Sequence, residues 1–173
     1  MSLKPKDPLL AAARVVLIVA MAAMAAACLA TLVAAPAIVV FRSSVLAELA
    51  SHAAPDEALW ALVLILLLVA FVTALGFLFF RHMYRIVGTV GDGDPFIPAN
   101  ASRLSAMGWI VVAVNVAFIP MVSILRWLES VTEHMHTEAS HDIDGLLLAL
   151  VLFILARVFR EGTRLRDEVE GTV

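Results

Sequence analysis

Residues 133–142 hold the densest set of side chains able to do chemistry: Glu133, His134, His136, Glu138, His141 and Asp142. Imidazole and carboxylate are ligands that zinc and related divalent metals take. Imidazoles also change charge near neutral pH. Spacing weakens the metal case. His134 and His136 are two residues apart, so on a helix they diverge by about 200°. His134 and Glu138 would share a face, and His141 would need a turn to join them. The leading expectation is a solvated acidic loop. His134, His136, Glu138 and His141 stay as metal-ligand candidates, and an outer-face pH sensor is a third reading.

Elsewhere reactive sets are scarce. Gly91-Asp92-Gly93-Asp94 lacks the Lys-Ser/Thr of a phosphate loop and the ligand spacing of a calcium hand, so it reads as a turn. Gly88, Gly91, Gly93, Pro95 and Pro98 are expected to stop a helix there, with Asn100 or Ser102 capping the next one. Cys28 is the only cysteine, so no intramolecular disulfide forms, and its Ala-rich apolar setting makes it inert. No Ser/His/Asp set and no paired catalytic carboxylates stand in a usable frame. We expect no enzyme and no cofactor.

These residues hang on four apolar runs at about 15–41, 58–80, 104–125 and 143–159. Apolar residues make up 62% of the 173, charged residues only 16%, a surplus that lipid must cover. The first three runs have 27, 23 and 22 uncharged residues. A bilayer core needs about 20 in a helix. The first run is also far longer than the apolar core of a signal peptide, so it reads as a span. The fourth is weaker, with only 12 uncharged residues at 145–156. Charge decides it. Lys and Arg number 3, 1, 3, 1 and 4 in the successive flanking segments. By the positive-inside rule, that alternation places both termini in the cytoplasm after four crossings. Arg157 then snorkels to the inner headgroups. The outer segments are net acidic, which argues against direct nucleic-acid binding there.

The elements should outrun the membrane. Val45, Leu46 and Leu49 point to an amphipathic helix after the first span, and Ile124, Leu128, Val131 and Met135 prolong the third. Val158, Gly162, Leu165 and Val169 carry the fourth into an amphipathic tail with Arg164/Glu168 and Arg166/Glu170 pairs. Ala22, Ala26 and Ala30 form a small-residue stripe that would let helix backbones approach closely. Asn115 is the one strongly polar residue near a span centre. It reads as a packing contact between helices, or as a permeation residue in a channel.

Two segments carry a resemblance. One is Gly93-Asp94-Pro95-Phe96-Ile97-Pro98-Ala99-Asn100, followed by Arg103-Leu104 and Gly108-Trp109. The other is Ala156-Arg157-Val158-Phe159-Arg160-Glu161-Gly162 with Leu165, ending in Glu170-Gly171-Thr172-Val173. Both resemble motifs of a bacterial family of small four-span membrane proteins, domain of unknown function twenty-nine seventy-five. The resemblance implies no catalytic residues. Its members are often encoded beside a small helix-turn-helix regulator, which implies a membrane partner or anchor for such a protein.

The expectation is thus an all-α, single transmembrane domain over 1–173, a four-helix bundle in the bacterial cytoplasmic membrane. It would act as a non-enzymatic regulatory or anchoring partner of a small cytoplasmic transcription regulator. Asp94, Pro95, Phe96, Asn100, Phe159, Arg160, Gly162 and Leu165 are the docking candidates. Phe96 and Phe159 should meet, and Asp94 should face Arg160. The alternatives are an oligomeric channel or transporter subunit built around Asn115, and the outer-face sensor.

Overall fold

A computed structural model describes residues 8–52, 54–91, 93–131 and 144–170. The metal candidates His134, His136, Glu138 and His141 lie outside these. Among the described residues, all regular structure is helical. The helices are α1 (Pro8–Val40), α2 (Arg42–Ser51), α3 (Ala58–Gly91), α4 (Pro98–Val131) and α5 (Asp144–Glu170). α1, α3 and α4 have 33, 34 and 34 residues and are long and apolar enough to cross a membrane. At 1.5 Å per residue, each is about 50 Å long. They point to a multi-pass membrane protein. Pro36 and Pro120 sit inside α1 and α4, which continue past them. In such helices neighbouring groups can satisfy the freed backbone carbonyl.

The helices overrun the apolar runs as their sequence patterns predict. α2 occupies the segment of Val45, Leu46 and Leu49, and α5 continues from the fourth run to Glu170. One expectation needs adjusting. Gly88 does not stop α3, which reaches Gly91. A Cβ at Gly88 would meet nothing within 4 Å.

The chain falls into two compact units. The first takes Met1–Ala23, Gly76–Ala113 and Asp144–Val173, and the second takes Met24–Leu75 and Val114–Ile143. The core of the first is Leu104, Met107 and Val111 of α4 against Ala149, Leu152 and Ala156 of α5, with Phe79, Ile86, Phe153 and Phe159 around it. Both sets follow a three-four spacing, which keeps one stripe of each helix on the seam. Small residues bring the helices close. A Cβ at Gly108 would lie 2.8 Å from the Phe153 ring. That ring also meets Trp109 edge-on at 5.5 Å. Between apolar helices in lipid, this packing is held by dispersion rather than by expelling water.

The core of the second unit is Ala54, Ala58 and Leu128, with Leu49, Leu62 and Val131 packed on it. Trp60 and Trp127 line one apolar groove there with Leu64 and Ile124. Thr31, Thr73 and Ser123 spend their hydroxyls on carbonyls of their own helices. The Cys28 thiol donates to Ala70 O at 3.5 Å. Asn115 is half-buried.

The small-residue stripe of α1 does not face the chain's own helices. Ala22, Ala26 and Ala30 are all exposed, whereas Leu17 and Ala35 are buried and Met21, Met24, Cys28 and Thr31 half-buried. The inward face follows larger residues at heptad spacing. Many large apolar side chains stay exposed on every long helix: Val15 and Val19 on α1, Leu64 and Phe71 on α3, Val116 and Ile119 on α4, Leu147 and Ile154 on α5.

Candidate functional site

The first unit contains both specific sequence segments, and its geometry begins with how α3 ends. Gly93 N–H donates to Val90 O at 3.1 Å, and Asp94 N–H donates to Thr89 O at 3.1 Å. That is a Schellman closure, which needs a left-handed residue at the first of these donors. Gly93 supplies it with φ 87°, at no steric cost. Pro98 opens α4, where its missing N–H loses nothing.

Asn100 locks this connection. It has no exposed surface. Its Nδ2 donates to Thr89 Oγ1 at 2.7 Å and to Pro95 O at 2.8 Å. Its Oδ1 accepts from Arg103 Nη1 at 2.8 Å. Thr89 Oγ1 in turn donates to Ile86 O. One amide therefore ties the end of α3, the loop and the first turn of α4. This corrects two expectations. Neither Asn100 nor Ser102 caps α4, since Ser102 Oγ reaches back to Pro98 O inside the helix. Nor can Asn100 touch a partner, because it is wholly enclosed.

The locked connection seats on α5 through three contacts. The Phe96 ring stacks at a tilt on Phe159, centroids 5.2 Å apart. The same ring lies over Gly162, where a Cβ would come within 2.8 Å of it. Arg166 Nη1 donates to Asp94 Oδ1 in an ion pair. The partner of Asp94 is thus Arg166, not Arg160. Phe159, Gly162 and Arg166 follow helical spacing on one face, whereas Arg160 is turned about 100° from Phe159. Arg166 is the contact residue that sequence reasoning missed; counting seven residues on from Phe159 would have found it.

The resulting surface is mixed. Phe96 keeps 41% of its area exposed and Leu165 52%. Pro95 and Asp94, which precede Phe96 in the chain, are half-exposed. Arg164 bonds Glu161 Oε1 at 2.5 Å and lies 3.6 Å from Glu168, as α5's charge pattern predicts for the latter pair. Those carboxylates raise its already high pKa. From the other end, Arg14 Nη2 donates to Gly88 O at 3.4 Å, placing a cation beside the last carbonyls of α3.

His82 lies past the apolar run of α3. Burial first, then the charges of Arg85, Arg103 and Arg81, push its imidazole below the ordinary value of 6.5. Its Nδ1 is buried without a partner among the described residues. Both facts favour the neutral ring. No group of three metal-ligating side chains occurs among the described residues.

A family model described as "Protein of unknown function (DUF2975)" matches residues 43–173. No curated protein and no solved structure matches the chain.

Proposed function

Because this chain belongs to the DUF2975 family, we propose that it is a non-enzymatic regulatory or anchoring protein of a bacterial cytoplasmic membrane. It crosses four times with both termini inside, as a four-helix bundle. It presents the 93–98 connection and the α5 tail to a small cytoplasmic regulator. The alternation of Lys and Arg between the apolar runs supports this topology. The exposed apolar side chains of α5, Leu146 through Val158, support a fourth crossing despite its short uncharged centre.

The observation that carries the docking reading is the seating of the connection on α5. Asp94–Arg166 and the Phe96 ring over Phe159 and Gly162 join two distant segments into one preformed surface. Phe96 and Leu165 are its apolar anchors, and charged groups rim it. Apolar contacts inside a polar rim are how protein interfaces are built. Preorganisation lowers the ordering cost of binding.

Crosslinking in native membranes tests it. The wild-type chain should capture a small DNA-binding protein, and Phe96→Glu/Leu165→Glu should lose it while still inserting. If no protein is captured by either chain, and deleting 160–173 leaves the regulator's target genes unchanged, the reading fails.

A further inference from the structure

Arg157 and Arg160 are not part of the surface just described. They stand one turn apart on α5 and line a cleft of about 450 Å³ with Ser105 of α4, Phe153, Ala156 and Glu161. Both are exposed, and neither forms an ion pair among the described residues. Two guanidiniums on one helix face repel each other, and they remain so unless an anion joins them. Glu161, the acidic group of the lining, is already engaged by Arg164. Ser105 adds a hydroxyl from the facing helix.

The cleft combines in its lining the two guanidiniums, the Glu161 carboxylate and the Ser105 hydroxyl with apolar Phe153 and Ala156. Its wall is the Phe153 ring, which lies against Trp109. Trp109 is 66% exposed, and Leu150 and Ile154 are exposed on the α5 turns leading away from the arginines. A free phosphate would use the arginines and leave that apolar face bare. A phospholipid would use both.

We infer that this cleft binds the headgroup phosphate of an anionic phospholipid, held by Arg157, Arg160 and Ser105 with an acyl chain along Phe153 and Trp109. Arginine suits the task because its fork of donors matches phosphate oxygens. The inference rests on α5 meeting the membrane as proposed above. It goes beyond that reading by giving the α4–α5 seam a lipid ligand.

The test is native mass spectrometry of the full chain in mild detergent, titrated with phosphatidylglycerol and, separately, phosphatidylcholine. The first phosphatidylglycerol should bind saturably and phosphatidylcholine should not. Arg157→Gln and Arg160→Gln should each weaken binding about fivefold, the worth of one cation near an anionic lipid surface. Glu161→Gln should tighten it, and Arg42→Gln should change nothing. A double variant with wild-type affinity overturns the inference. So does displacement of the lipid by millimolar inorganic phosphate, which would assign the cleft to the free anion. If the double variant does not fold, Glu161→Gln decides: unchanged or weaker binding is a refutation. A chain with a cytoplasmic C-terminus and no lipid selectivity would reject the cleft alone and leave the topology standing.

Discussion

Replacing Asn100 with alanine removes two donors and one acceptor at a position with no exposed surface. Pro95 O and the Thr89 hydroxyl lose their amide donor in the partly buried connection. The expected cost is about 2–3 kcal/mol, read as a lower unfolding temperature in detergent. Asp94→Asn should behave differently. The Asp94–Arg166 pair is more than a third exposed on both sides, so its loss should cost under about 1 kcal/mol and vanish in high salt. A large, salt-independent loss would mean the carboxylate does more than pair. His82 gives a pH signature. Its folded pKa lies below 6.5, so the unfolded chain takes up protons first. The contribution of the neutral ring is complete above that value and is lost as pH falls through the folded pKa. His82→Gln should flatten the stability curve on the acid side of 6.5 relative to wild type.

Helix faces decide which parts of the site can be read in advance. Gly162→Ala tests one face. Alanine favours a helix over glycine by about 1 kcal/mol, but its Cβ would press into the Phe96 ring. The ring would have to leave Phe159, forfeiting a contact worth about 0.5–1.5 kcal/mol. Faster hydrogen exchange at residues 93–98 with helix content unchanged is the expected result; unaltered exchange would mean the ring moves freely. Gly108→Ala should do the same to Phe153. The sequence made the meeting of Phe96 with Phe159 legible because both segments were distinctive and the alternation of positive charge assigned both to the same side of the membrane. It did not reveal which arginine meets Asp94, because that depends on helix phase over six residues. Asn100 was misread for a related reason: a polar residue near Gly and Pro looks exposed until the α3 closure folds over it. The Ala22, Ala26 and Ala30 stripe stays off the inward face because small residues permit close packing without requiring it, and other residues at heptad spacing face inward.

At the scale of the whole molecule, a single docking surface requires the connection and the tail to lie on one side of the membrane. Three long apolar helices, and α5 with its exposed leucines, leave large apolar side chains uncovered along their length. Lipid is the solvent that tolerates them. In the proposed topology the positive charges orient the spans, and the connection and the tail come to one side only if α5 crosses. Cysteine accessibility measures this directly. In a Cys28→Ala background, single substitutions Ser43→Cys, Ala99→Cys and Asp167→Cys fall on three exposed positions. Intact cells are treated with a thiol reagent that does not cross the inner membrane. Labelling of Ser43→Cys at once, with Ala99→Cys and Asp167→Cys labelled only after the membrane is opened, is the predicted result. Labelling of Asp167→Cys in intact cells would put the tail on the opposite side from the connection and contradict the account.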